Sequence, residues 1–190
     1  MNIFVLDRDP KVAATFHCNK HVVKMILEAG QMLCTAHWSH LLKSQGKSMS
    51  DFKRVRDAQA WLFENTDVSK QPPWKMSHTR HPCTIWTAEN VSNYFWHVSL
   101  GESLLSEYTR RYSKHHKSEP VLEWLRENIP IDIKDASLTE FSQCVPDECK
   151  VYGNAPAAYK KYYVNYKNHF AKWEPRASTP KWYKEALECL

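Results

Sequence analysis

The stretch that decides the fold runs from Asn19 to Leu42 and reads NKHVVKMILEAGQMLCTAHWSHLL. Its apolar side chains recur every three or four residues, which is the spacing of one face of an α-helix. We therefore predict a long amphipathic helix whose apolar face forms the centre of the core. The apolar positions are Val22, Met25, Ile26, Ala29, Met32, Leu33 and Ala36.

The polar face of this helix carries only a few polar side chains, and they are of the types used in acid–base chemistry. At roughly 100° per residue, His21, Lys24 and Glu28 fall within an arc of about 80°, together with Gln31 and Thr35. A carboxylate beside an imidazole and an amine can act as a general acid or base, because each group shifts the pKa of the others. An ordinary exposed face with a Lys24–Glu28 ion pair would give the same pattern.

The chain on either side of this helix is also predicted to be mostly helical. The apolar residues 3–6 precede Asp9-Pro10, a typical helix start, so we expect an extended segment and then a short helix over 11–16. We predict further helices over 51–65, 79–114 with Gly101 as the candidate break, 120–128, 138–144 with a capping box, and 156–173, and a turn at 182–187. The expected fold is mainly α, a compact single domain over residues 1–190 with a short extended N-terminal segment.

The composition is that of a globular protein and not that of a membrane-spanning one. The chain has 190 residues, of which 43% are hydrophobic and 25% charged, the balance of a globular protein. Mean hydropathy is −0.61, and no apolar run reaches the roughly 20 residues of a membrane span, so we expect no membrane association. Six scattered cysteines and an N-terminus without a signal-peptide pattern indicate reduced thiols in the cytoplasm.

Basic residues concentrate at the C-terminal end. The formal net charge is +5, and Glu174 is the only acid between residues 150 and 184. A basic and aromatic helix and tail at about 150–190 is typical of a polyanion-binding protein, with rings available to unstacked bases. An exposed helix face followed by a basic tail is the plainer alternative. The candidate nucleic-acid-binding residues here are Lys160, Lys161, Lys167, Arg176, Lys181, Trp182, Tyr183 and Lys184.

A second basic cluster contains His78, Arg80 and His81, directly before Pro82. Free N–H groups at a helix start, next to an arginine and two histidines, form a natural phosphate site. A capped helix with two surface histidines would have the same sequence.

Two Cys-x-x-His pairs, Cys18–His21 and Cys34–His37, each resemble half of a zinc site. His21 and Cys34 would be separated by about 20 Å on one helix, so one ion cannot bridge the pairs. We therefore expect no metal and no cofactor.

Three segments resemble a known family. Residues 19–28 are similar to the D-x-H-[LM]-x5-E stretch of the phage pyrimidine-dimer DNA glycosylases of the endonuclease V type, with the same His-to-Glu spacing. Residues 81–111 look like the second conserved region of that family, a histidine followed by a long helix that ends in acidic and basic residues. The sequence TPKWYK at 179–184 is similar to the family's C-terminal P-x-W-Y-K.

The resemblance implies a glycosylase with lyase activity on a damaged or modified pyrimidine nucleotide. In that family the N-terminal amine attacks the sugar and a glutamate assists. The resemblance therefore implies that the amine of Met1 and the side chain of Glu28 are catalytic. His21 and Lys24 would lie beside them and take part in catalysis. The family has a small residue at position 2, whereas Asn2 predicts that Met1 is retained. The implied partner is DNA and the implied compartment is the host cytoplasm of a phage, while the oligomeric state is not specified.

Two other functions fit the same residues. One is an enzyme on the same scaffold that modifies a nucleotide or DNA base without cutting the strand. The other is a non-catalytic nucleic-acid-binding protein that uses the basic, aromatic tail.

Overall fold

The computed structural model describes residues 1–189, which fold into eight α-helices with no β-strand. The mainly α prediction is confirmed. None of the helices in residues 1–189 has the length and apolar character needed to cross a bilayer. The helices are α1 Pro10–Phe16, α2 Asn19–Ser44, α3 Val55–Asn65, α4 Pro82–Glu89, α5 Val91–Tyr112, α6 Glu119–Glu127, α7 Ala155–Tyr162 and α8 Lys181–Glu188.

The long helix α2 lies at the centre, and α4, α5 and α6 pack against it. All seven positions of its predicted apolar face are buried. Gly101 lies inside α5 and does not break it; a Cβ there would lie 3.1 Å from both terminal methyl groups of Leu122 on α6. The helix break falls instead at Asn90, whose side chain accepts the Asn93 N–H (2.9 Å) and so begins α5.

Three predicted elements differ from the structure. Residues 138–144 are not helical, because Thr139 N–H donates to Asn93 (3.0 Å) and Cys144 N–H donates to the Tyr159 hydroxyl (3.2 Å), which replaces local helical bonds with tertiary ones. The helix predicted over 156–173 ends as an α-helix at Tyr162 and continues as a π-helical turn, Tyr163–Lys167. The C-terminal turn is longer than predicted and forms the complete helix α8.

The N-terminal segment is buried, and it covers part of α2. Residues 3–6 are each no more than 5% exposed. The Phe4 ring packs against His21 on α2, with ring centroids 4.3 Å apart, and lies parallel to the Tyr162 ring on α7 at 6.0 Å. The chain therefore begins beside α2, and this places the first residue against the polar side chains of that helix.

Candidate active site

The N-terminal amine lies against the side chain of Glu28. The Met1 nitrogen is 3.8 Å from Oε2, and the Asn2 N–H donates a 2.9 Å hydrogen bond to the same oxygen. Lys24 Nζ lies 3.0 Å from the other oxygen, Oε1. Only 8% of the Glu28 side chain is exposed, whereas Lys24 is 59% exposed, so the buried carboxylate lies between the N-terminal amine and a lysine that reaches in from solvent.

A tight turn at the first residues holds the amine in this position. The Asn2 side chain accepts the Ile3 N–H (2.9 Å) and donates to the Cys144 carbonyl (2.7 Å). Phe4 has a φ of 39°, in the left-handed region, which costs a non-glycine residue roughly 1–2 kcal/mol. The Met1 side chain is 3% exposed although the residue as a whole is partly exposed, so the accessible surface of Met1 lies on its main chain.

His81 approaches the same amine from the start of α4. Its Nδ1 accepts the Cys83 N–H (3.2 Å) and so caps the helix. Burial first, and then the positive charge of the N-terminal amine, lower the pKa of His81 below its ordinary value.

His21 does not join Glu28, contrary to the predicted polar arc. Its Nδ1 is hydrogen-bonded to the Tyr163 hydroxyl, and its ring also packs on Phe170 at 5.3 Å. Burial, followed by the nearby positive charges, lowers the pKa of His21 to about 2. The arc is not a solvent-exposed face, because the N-terminal segment and the residues after α7 cover its first turns. Of the predicted catalytic group, the structure brings together Met1, Lys24 and Glu28.

A strip of lysines and aromatic rings extends from Lys24 along the protein surface. The ammonium of Lys20 lies 4.7 Å from the Phe170 ring centre, and that of Lys167 lies 4.4 Å from the Tyr162 ring centre. The positive charges of all three lysines act on His21, which places them around the same part of α2. We refer to Lys20, Lys24, Tyr162, Lys167 and Phe170 as the basic strip.

A second basic surface surrounds His78 and Arg80. Both line a cavity of about 440 Å³, together with Lys53 and Arg54, which the sequence analysis did not single out. Arg54 is paired with Asp57 at 3.1 Å. His81 of the N-terminal site directly follows Arg80 in the chain, but it is not among the residues that line this cavity.

The two aromatic residues of α8, Trp182 and Tyr183, pack against the rest of the protein. Tyr183 is 4% exposed and lies 4.7 Å from the Trp173 ring, so it is a core residue and not a surface available to DNA. The partly buried Trp182 packs against Phe16 at 6.0 Å and Tyr163 at 6.2 Å. The resemblance predicted DNA contacts for both rings, but the structure uses them to attach α8.

The C-terminal basic residues are distributed over several surfaces. Lys160 lies over the Phe16 and Trp182 rings, and Lys161 donates to the Glu148 carbonyl at 2.6 Å. Lys181 pairs with Glu185 at 3.5 Å, Arg176 stacks on Tyr112 at 4.6 Å, and Lys184 is exposed. Of this predicted set, Lys167 belongs to the basic strip next to the site.

Comparison with known proteins gives no matching family model, no matching curated protein and no matching solved structure. The chemistry of the site therefore has to be interpreted from its own geometry. Sequence reasoning missed Asn2 and Cys144 as parts of this site, and no local pattern signals a contact between residues 142 positions apart.

Proposed function

We propose that this chain is a DNA glycosylase with lyase activity, in which the Met1 amine is the nucleophile and Glu28 the acid–base group. The observation that supports this is the 3.8 Å separation between the amine and Glu28, created by an N-terminus that turns back onto α2. An amine in this position can act as a nucleophile, with the neighbouring carboxylate as the acid–base group.

The proposed reaction steps follow from the positions of the Met1 amine and the Glu28 carboxylate. The amine attacks C1′ of a nucleotide, the bond from C1′ to the base breaks, and the base leaves with the bonding electrons and takes a proton from water. The charged Glu28 stabilises the cationic sugar during the attack, then takes the proton that the amine loses and passes it to the ring oxygen O4′, so that the C1′–O4′ bond breaks and the sugar opens to a protonated Schiff base. Loss of a C2′ proton would then expel the 3′ phosphate and cut the strand, after which water releases the enzyme.

The basic strip supports DNA as the partner in this proposal. Lys20 and Lys167 supply positive charge for phosphates, and the Phe170 and Tyr162 rings beneath them hold the two ammonium groups at the surface. A damaged or modified pyrimidine is the proposed target, because such a base leaves the duplex at low cost. We place the protein in the cytoplasm, where its cysteines, all free in residues 1–189, would stay reduced.

Borohydride trapping on an oligonucleotide with an abasic site tests the proposal. We expect a covalent protein–DNA adduct with the native N-terminus and none when two residues precede Met1, because the added residues displace the amine. A two-residue extension after Leu190 is the matched control and should trap normally. An adduct that forms equally with the blocked N-terminus would exclude Met1 as the nucleophile.

The same assay separates the alternatives. A base-modifying enzyme on this scaffold would change the DNA without an adduct. A binding protein would retain the oligonucleotide in a salt-dependent manner and leave it unchanged.

A further inference from the structure

Three side chains with metal-binding atoms meet beside the N-terminal site. A ring nitrogen of His81 and the sulfurs of Cys83 and Cys144 all lie within 4.8 Å of one another, and the two sulfurs are 3.4 Å apart. Cys83 is fully buried, whereas His81 and Cys144 are partly exposed, so the cluster has a protected interior and an open side. The chemistry proposed for Met1 and Glu28 does not use either thiol.

We propose that His81, Cys83 and Cys144 bind a zinc ion. In tetrahedral sites Zn–S is about 2.3 Å and Zn–N about 2.0–2.1 Å, so neighbouring ligand atoms lie roughly 3.5–3.8 Å apart. The observed sulfur separation is already close to that value, and the imidazole needs only a small movement. Two thiolates with a neutral imidazole balance the double charge of the ion, as a largely buried position requires. The fourth position is left for water.

The surroundings hold the main chain of all three ligands in place. Cys83 follows the helix cap that His81 forms, so these two residues share the rigid start of α4. The main chain of Cys144 is held on both sides, by the Asn2 side chain at its carbonyl and by the Tyr159 hydroxyl at its N–H. Hydrogen bonds of this kind orient a metal ligand before the ion arrives.

The two thiols contact each other and differ in exposure. Cys83 S–H donates towards Cys144 Sγ at 3.4 Å. Cys144 is the acceptor of the pair and the partly exposed member, through which an ion would enter. A thiolate is the form in which cysteine binds zinc.

The zinc ion would hold an irregular segment of the chain against the helical core. Between Asn128 and Pro146 the structure has no helix, and Cys144 lies near the end of this segment. A bond from Cys144 to α4 would tie the segment to the helical core and, through Asn2, to the turn that positions Met1. The proposal concerns this architecture and does not depend on the glycosylase activity.

Metal titration of the reduced, chelator-treated protein tests the proposal without DNA. We expect one equivalent of Co²⁺ to bind, with the thiolate charge-transfer band and the visible bands of a tetrahedral site, and Zn²⁺ to displace it. Cys144→Ser and His81→Asn should each bind at least about 100-fold more weakly, more than the usual loss for a group that only supports a ligand. Asparagine at 81 keeps a helix cap, so this variant should fold.

Cys189→Ser is the matched control, because it removes an exposed thiol far along the chain and should bind like the wild type. Circular dichroism checks that every variant retains its helices. Absence of the cobalt bands in the reduced wild type, or equal affinity in Cys144→Ser, would overturn the proposal. A Cys83–Cys144 disulfide by mass spectrometry, without metal uptake after reduction, would overturn it in favour of a redox pair.

Discussion

At the scale of single residues, the two oxygens of Glu28 have different environments. The oxygen facing Lys24 makes an i,i+4 ion pair with a largely exposed lysine, a contact that stabilises a helix by only a few tenths of a kcal/mol. The other oxygen faces the Met1 amine and the Asn2 N–H, inside the protein. This second environment distinguishes Glu28 from the carboxylate of an ordinary surface ion pair.

Replacing Glu28 with glutamine distinguishes a catalytic role of the carboxylate from a purely structural one. Glutamine keeps an oxygen that accepts the Asn2 N–H, so we expect the melting temperature to change by only a few degrees. Loss of the charge should reduce the rate of adduct formation or turnover by roughly 10²–10⁴-fold, the usual range for a missing acid–base group. Glu64→Gln, at an exposed position of α3, is the control and should leave both values unchanged. Full turnover in Glu28→Gln would remove Glu28 from the mechanism.

At the scale of elements, α2 depends on a close approach to the loop before α4. A Cβ added at Gly30 would lie 2.6 Å from the Trp74 ring, inside contact distance. The Trp74 carbonyl accepts the Trp38 N–H at 2.7 Å, which keeps this residue next to α2. Glycine is therefore used here for close packing, although it weakens the helix itself.

The variant Gly30→Ala tests how much the close packing of α2 against Trp74 contributes to stability. Alanine favours the helix by about 1 kcal/mol, but displacement of the Trp74 ring should cost more. We expect a net loss of about 1–2 kcal/mol in the free energy of unfolding, measured by urea denaturation. Val23→Ala, on the exposed side of the same helix, should change it by less than about 0.5 kcal/mol. A stabilised Gly30→Ala protein would contradict this account.

The basic strip joins α2 to the residues after α7, and its charges can be tested as a group. The double variant Lys20→Gln with Lys167→Gln should bind DNA more weakly and lower the slope of log affinity against log salt by about 1–2, since each phosphate contact contributes nearly one. Fluorescence anisotropy at several salt concentrations gives both numbers. Lys47→Gln with Lys114→Gln removes the same charge from two exposed loops and should have a smaller effect. Equal slopes in the two double variants would place the DNA surface elsewhere.

At the scale of the whole molecule, the core encloses several uncharged histidines. Burial is the main cause in each case, and it lowers the pKa of His17 to about 4 and those of His37 and His97 to about 3. Each ring has a hydrogen-bond partner, such as the Thr87 hydroxyl for His97 at 2.8 Å. The folded protein therefore resists protonation at positions that the unfolded chain protonates freely.

This difference predicts instability in mild acid. Above the unfolded pKa of about 6.5 both states are neutral and stability is complete. As the pH falls below 6.5, only the unfolded state takes up protons, so each buried histidine lowers the free energy of unfolding by up to about 1.4 kcal/mol per pH unit until its folded pKa is reached. Urea denaturation between pH 7.5 and pH 4.5 measures the slope.

His97→Gln should flatten that slope, because glutamine does not titrate, whereas His169→Gln, at an exposed position, should leave it unchanged. The comparison between the two variants cancels the contribution of the acidic residues. An identical slope in both variants would show that burial of His97 does not control acid stability.

The sequence by itself determined the features that depend on neighbours within about four positions. The apolar spacing of 19–42 gave α2, Asp9 and His81 mark the starts of α1 and α4, and the Lys24–Glu28 pair follows from helix geometry. Helical periodicity and capping are local interactions, so a single stretch of chain is enough to specify them.

Only the tertiary structure decided what surrounds Glu28 and the thiols. The contact from Asn2 to Glu28 spans 26 positions, that from Cys83 to Cys144 spans 61, and that from Asn2 to Cys144 spans 142. Residues 138–144 show the same effect, because bonds to Asn93 and Tyr159 replace a helix that the local sequence favours. Burial and distant partners outweigh local preference wherever the folded chain supplies a better hydrogen bond than the next turn of helix can.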